Sequence, residues 1–509
     1  MSTMKDLRNL AVQLEALSTE YSRLTWVQYT AGYDFGVIDA YKKITDYLQD
    51  KKNYKIVLDM KEKEETLNFE DKRRVELMFN QFEPYHLSPE CTELSEKIEA
   101  KVNELSKILN TFRFKLDGKE ITSVEIANIL SQEEDREKRK AAFFCRSQID
   151  KPLIDGGFLE LLKLRKEYAK LRGEKDFVEL KLKEDGLDSS VFNGWKEQLQ
   201  EMLPKIEEKR KEYAEKYNGG HKIMPWDEKY INSKLAPLLN KEIDLSNYYD
   251  NLRDFFLLFD INIDEYNITY DVFPRKNKSE WGYNFPIKTG KDSRILANIK
   301  NKYFNYGVLL HETGHGVHSF LMDSEMVILN AGVNGIVTEG IANLFGSFEN
   351  QEIFFEKFFG NEIEEAREQF KNIREYSKLT SLFSITSILF DQELYRNDVE
   401  SLDDIYSVYW KVYKELYNEE PYDKVFPWGF RIHHTTHPIY LHNYFMGDVT
   451  CEMLAKVFNE KNGTKSIADN PKEFKEFLMK KVIEPSGLYK YNELFEKISG
   501  DKFSLKYIL

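Results

Sequence analysis

Cysteine is nearly absent: three residues in 509, Cys91, Cys145 and Cys451, odd in number and far apart. That excludes a disulfide scaffold and a cysteine-based zinc site, and it fits a reducing cytoplasm. Proline is scarce too, at 13 residues, so long helices can run without interruption. No stretch approaches the about 18 consecutive apolar residues that a spanning helix needs. The opening MSTMKDLRNL has no apolar segment followed by small residues, so it does not read as a signal peptide. Acidic residues outnumber basic ones, 87 to 73, and the two are interleaved. Without a basic block carrying interleaved aromatics, a nucleic-acid partner is not expected. With 41% hydrophobic and 31% charged residues, the composition is that of a globular chain, expected in the cytoplasm with no membrane partner.

Apolar residues recur at helical spacing through most of the sequence. Leu7, Leu10, Leu14 and Leu17 form one such stripe, and Leu161, Leu164, Tyr168 and Leu171 another. Charge runs such as Lys61–Glu65 and Glu133–Lys140 read as solvated helix faces or ends. One region breaks the rhythm. Asn267–Phe273 alternates and stops at Pro274, Arg275–Glu280 reads as a polar turn, and Trp281–Phe285 and Arg294–Ile299 read as further strands. A small β-sheet is therefore expected between residues 266 and 300. No internal repeat or Gly/Ser linker separates independent domains. The expected fold is mainly α, a two-lobed helical clamshell around a deep central cleft. Residues 1–115 read as the N-terminal helical part of the lobes and 116–509 as the catalytic region.

Seven of the nine histidines fall into two clusters: His311, His315 and His318, and then His433, His434, His437 and His442. Two clusters so far apart point to one site assembled from two elements. His311-Glu312-Thr313-Gly314-His315 has the HExxH pattern, and the small sheet precedes it directly. Four-residue spacing puts both imidazoles on one helix face, one turn apart, where both can reach one metal ion. Glu312 is rotated by about 100° and is placed to take a proton from water at an open coordination position. Val308, Leu309, Val317, Phe320 and Leu321 read as the buried stripe of this helix. Gly314 and Gly316 each cost about 1 kcal/mol relative to alanine, which implies that something packs very close there.

A catalytic zinc usually takes three protein ligands. The extended HExxHxxGxxH pattern is excluded, because residue 318 is histidine and residue 321 is leucine. His318 lies about 10 Å along the axis from His311, so it reads as a packing residue or a partner of a ligand. Glu339 is the better third ligand. Turn signals at Asn330–Gly332 and Asn334–Gly335 precede a helix expected from about Val337, with Ile341, Leu344, Phe345 and Phe348 as its buried stripe. Glu339 lies off that stripe, on a face with Ala342, Asn343 and Gly346, where another helix can approach closely. Asn343 is a candidate partner for a ligand.

HETGHGVHSFL, with a glutamate 24 residues past the second histidine, resembles the gluzincin peptidases and most of all family M3. Tyr270–Arg275, Trp281–Tyr283 and Ile295–Asn298 are similar to that family's segment before the zinc helix. Arg136–Phe144 and Leu164–Gly173 resemble its helices as well. The first 115 residues look as much like the angiotensin-converting-enzyme family. The Ile-His-His opening of the C-terminal cluster is similar to the M32 carboxypeptidases. The resemblance implies one Zn²⁺ held by His311, His315 and Glu339, with Glu312 as general base and then acid. It places donors to the reaction's oxyanion among His433, His434, Tyr440, His442 and Tyr444. The expected activity is hydrolysis of internal bonds in short unfolded peptides, with the strand Ile295–Ile299 pairing to substrate backbone. A dipeptidyl carboxypeptidase or carboxypeptidase is the alternative, with Arg275, Lys276 or Arg431 holding the terminal carboxylate. A catalytically silent peptide-binding protein is another, against which the intact Glu312 argues.

Overall fold

Helix α1 (Met4–Ala31) starts at a capping box: the Thr3 hydroxyl accepts from the Asp6 amide, and the Asp6 carboxylate accepts from the Thr3 amide. Gly32 ends it in the left-handed conformation, at φ 75°. The computed structural model describes residues 2–279 and 282–509. Helices carry most of them, with a short hairpin and a three-stranded sheet. The hairpin, β1 (Phe114–Leu116) and β2 (Lys119–Ile121), turns at Asp117 and Gly118, both at positive φ. None of the described helices is long and apolar enough to cross a membrane.

The chain forms two units. One comprises residues 1–87, 238–363 and 447–503, and the other residues 88–237, 364–446 and 504–509. In the second, α2 (Arg136–Cys145) and α3 (Phe158–Leu171) follow the hairpin. The buried stripe of α3 is Phe158, Leu161, Leu162, Arg165 and Ala169, whereas Leu171 is 48% exposed. The expected stripe is thus turned by one position, because Arg165 enters the core with its guanidinium hydrogen-bonded. Its Nη1 donates to the Tyr395 hydroxyl and the Thr435 carbonyl. The run Glu133–Lys140 is likewise not wholly solvated. Arg139 is buried and, with Arg136, grips the fully buried Asp227, which a solvated helix face would not do.

In the first unit, α1 lays Leu7 and Leu10 on a core with Val57, Val75, Phe82 and Leu329. The sheet lies where the alternation placed it, as β3 (Ile268–Asp271), β4 (Tyr283–Lys288) and β5 (Asp292–Leu296) in the order β3-β5-β4. Strand β5 runs parallel to β3 and antiparallel to β4. Glu280 and Trp281, the end of the expected turn and the start of the expected second strand, lie outside the described residues. The turn is clamped by Lys278, whose Nζ donates to the carbonyls of Asp271, Phe273 and Ala297 and pairs with the Asp271 carboxylate. After the sheet come α5 (Asn305–Leu321) and α6 (Gly335–Gly346), capped by the Asn334 side chain. Next are α7 (Ile363–Arg396), mostly in the second unit, and α8 (His442–Asn462).

Candidate metal centre

Helix α5 is held on two sides, and its glycines mark both approaches. A Cβ on Gly316 would meet Ile268 Cδ1 at 3.3 Å and Ser293 Oγ at 3.5 Å, on the sheet. A Cβ on Gly314 would meet Ala342 Cα and Phe345 Cδ2 at 3.2 Å, on α6. Leu309 and Val317 are buried as the stripe requires, but Val308 is 38% exposed and lies outside it. Asn284 Nδ2 donates to the Glu312 carbonyl, and the Tyr270 hydroxyl meets the Thr313 hydroxyl at 3.2 Å. The sheet thus fixes the rotation of the helix as well as its distance.

Close packing of α5 on α6 brings the three expected ligands together. His311 Nε2 lies 3.7 Å from Glu339 Oε2, and His315 Nε2 lies 3.7 Å from Glu339 Oε1. One ligand atom from each residue lies within 4.8 Å of the other two. A carboxylate and two imidazoles at that separation fit one small divalent cation. Gly346 backs onto His311, where an added Cβ would be 3.2 Å from the histidine Cβ. Gly447 of α8 backs onto Glu339 in the same way, at 3.1 Å. Asn343 donates to Asp448 and hydrogen-bonds His311, which links α8 to a ligand through one amide.

For the two imidazoles the electrostatics favour ligation. Burial pushes His315 down to about 3, with the charges of His311 and His318 adding to it. Burial also lowers His311, against the hydrogen bond it makes to Asn343. Neutral imidazoles keep the lone pairs that bind metal. Glu312 is 8% exposed, and burial, then the neighbouring Glu339 charge, push its carboxyl up to about 8. His318 is 3% exposed and burial pushes it down to about 4. Its ring is part of the packed inner face of α5.

In the second unit the C-terminal histidine segment divides in two. His433, Tyr440 and Tyr444 form one ring cluster, with centroids 6.1, 5.8 and 5.4 Å apart, and both tyrosines are exposed. The other two rings turn inward. His434 is fully buried against Phe390, with Nδ1 3.7 Å from Asp391 Oδ1. His442 is 1% exposed, edge-on to Phe192. Sequence reasoning missed what shapes this segment. Ile439 sits at φ 56°, a strained conformation for a β-branched residue. The buried Asp391 carboxylate accepts its amide at 2.5 Å. Arg165 holds the Thr435 carbonyl at 2.7 Å. No motif announces either contact, since the partners come from α7 and α3.

Two expectations are corrected. Strand β5 is the middle strand, with Ile295 paired to Tyr270 on one side and Asn284 on the other. The Ala297 carbonyl beyond it accepts from Lys278. As far as Leu296, β5 therefore has no open edge among the described residues on which a peptide strand could be added. Arg275 is not a free cation either: it forms a bidentate pair with Asp271 and donates to the Thr30 carbonyl.

Comparison with known proteins agrees with the resemblance read in the sequence. Residues 129–269 match the model of peptidase family M3, a stretch that ends before the metal centre. No curated protein matches the chain. Solved structures share its fold over nearly the whole length. An M32 carboxypeptidase from Deinococcus radiodurans R1 is 13% identical, covers 99% of this chain and 97% of its own, and has a TM-score of 0.65. A Pyrococcus furiosus carboxypeptidase is 15% identical, with 100% and 97% covered and a TM-score of 0.66. Trypanosoma cruzi metallocarboxypeptidase 1 is 14% identical, with 99% and 98% covered and a TM-score of 0.65. The mainly helical fold with a small sheet is thus the fold of these carboxypeptidases.

Proposed function

We propose that the chain is a zinc-dependent peptidase acting on short, unfolded peptides. The observation that carries this reading is the meeting of His311, His315 and Glu339, with Glu312 next to a ligand on the same helix. Zinc held there would supply a Lewis acid that polarises the scissile carbonyl and activates water near neutral pH. Glu312 then accepts the proton from the attacking water and returns it to the leaving amine. The role assigned to His433, Tyr440 and Tyr444 is donation to the developing oxyanion, worth about 2.7–4 kcal/mol per donor. His434 and His442, enclosed in the core, shape the segment and do not contact substrate. The family M3 stretch supports cleavage of internal bonds.

A second reading has its own support. The full-length likeness to M32 carboxypeptidases favours removal of C-terminal residues. That mode needs a cation for the terminal carboxylate, and with Arg275 committed to Asp271 the choice falls to Lys276 or Arg431. Digestion of peptides of graded length by the zinc-loaded protein, read by mass spectrometry beside Glu312→Gln, decides between them. Internal cuts lost in the variant support the first reading, and stepwise C-terminal trimming the second. Absence of any Glu312-dependent cleavage would refute both.

A further inference from the structure

The second unit contains a cavity of about 350 Å³ whose lining, apart from Arg431, the peptidase reading does not use. Five cationic side chains line it: Arg146, Arg210, Lys222, Lys229 and Arg431. Two are spoken for, since Arg210 pairs with Glu228 and Lys222 with Glu419. Among the described residues, the side chains of Arg146, Lys229 and Arg431 make no hydrogen bond or ion pair. The one other carboxylate on the lining, Glu207, acts on Arg210.

These three charges are gathered, not scattered. Arg146 and Arg431 lie over the same ring, with guanidinium carbons 4.5 and 5.7 Å from the centre of Phe430. Burial, and then the Arg431 charge, push Arg146 down to about 10. Burial, and then Arg146 and Arg431, lower Lys229. Like charges sharing a concave, aromatic-walled space repel one another, and the low-dielectric wall focuses their field into the cavity. Two planar forks and one ammonium are the donor set that binds oxyanions, through bidentate contacts and a point charge. The walls of Tyr409, Tyr413 and Phe426 admit an apolar portion beside the charge, and the volume suits a small molecule.

We infer that this cavity is a binding site for a small oxyanion of the phosphate or carboxylate class, held by Arg146, Lys229 and Arg431. Neutralising three unpaired cations is what such a ligand gains there. The inference shares Arg431 with the carboxypeptidase reading but does not depend on it, because binding is measured without turnover and tested at Arg146 and Lys229.

Calorimetric titration of the full-length protein tests it, with inorganic phosphate in one arm and succinate in the other, at constant ionic strength set by sodium chloride. Saturable binding of at least one anion is expected, with a Kd below about 10 mM. The arm that binds tighter identifies the source chemistry. Arg146→Gln and Lys229→Gln should each weaken binding tenfold or more. Lys151→Gln, which removes an exposed cation paired with Asp155 outside the cavity, should leave it unchanged. Lys229 keeps contact with solvent although it also lines the cavity, so its variant keeps the test valid if Arg146→Gln misfolds. No saturable binding above the chloride background, or equal binding by wild type and Lys229→Gln, would overturn the assignment.

Discussion

Replacing Gly314 by alanine tests whether the approach of α5 to α6, and not helix propensity, rules that position. The added methyl would lie 3.2 Å from Ala342 Cα and from Phe345 Cδ2, and 3.3 Å from Phe345 Cβ. Ala342 and Phe345 are 0% and 1% exposed, and the nearest atom belongs to the backbone, so no side chain can simply turn away. Alanine gains about 1 kcal/mol over glycine inside a helix, whereas overpacking costs about 1–3 kcal/mol. A net loss of about 1 kcal/mol is expected. Gly316 supplies the control in the same helix. Its nearest neighbour at 3.3 Å is the end of the Ile268 side chain, so Gly316→Ala keeps most of the propensity gain. Gly314→Ala should also disturb the metal centre, because Gly314 lies between His311 and His315 and presses on the helix that carries Glu339. A retreat of a few tenths of an ångström opens the 3.7 Å separations. Denaturant unfolding of both metal-free variants and zinc affinity by chelator competition measure the two effects. Gly314→Ala matching Gly316→Ala in stability and in zinc affinity would refute the reasoning.

Four further outcomes follow from the geometry. Glu339→Ala should weaken zinc binding by more than the about 10–100-fold that an outer partner of a ligand costs, read as bound metal after dialysis. Asp227→Ala strands the buried Arg139 and should cost about 3–5 kcal/mol in unfolding experiments; a loss under about 1 kcal/mol would show that the pair was already solvated. Asp391→Ala leaves the buried Ile439 amide without its acceptor, at about 1–3 kcal/mol. If Tyr440 serves the transition state, kcat falls more than KM changes, and Asp391→Asn restores part of it. Asp150 is fully buried, accepts from the Gly429 amide and the Tyr406 hydroxyl, and is pushed up to about 8 by burial from an ordinary 3.8. The folded state therefore holds its proton more tightly than the unfolded state, and stability falls as pH rises from about 4 to about 8. Asp150→Asn cannot lose that proton, so its stability should overtake wild type across this window by the order of a few kcal/mol.

What the sequence disclosed and what it withheld divide by the range of the forces involved. His311 and His315 are legible because one helical turn fixes their separation regardless of the rest of the fold. Glu339 is legible for a related reason: small residues one turn on let a neighbouring helix approach, and Ala342 and Gly346 do meet Gly314 and His311. The β1–β2 hairpin carries a local signal as well, Asp117-Gly118 between extended residues, set in a stretch whose surrounding period is helical. No local rule reaches the remainder. Arg139 finds Asp227 88 residues away, and Arg165 finds Tyr395 across 230, so neither the charge run nor the apolar stripe shows its buried face in the local pattern. Within the C-terminal segment, spacing cannot tell the open rings of His433, Tyr440 and Tyr444 from the enclosed rings of His434 and His442. That sorting depends on a kink at Ile439, where the amide donates to a buried carboxylate from α7. Chemistry confined to one turn of helix is therefore written in the spacing, whereas chemistry that needs a strained loop is written in the residues that hold the strain.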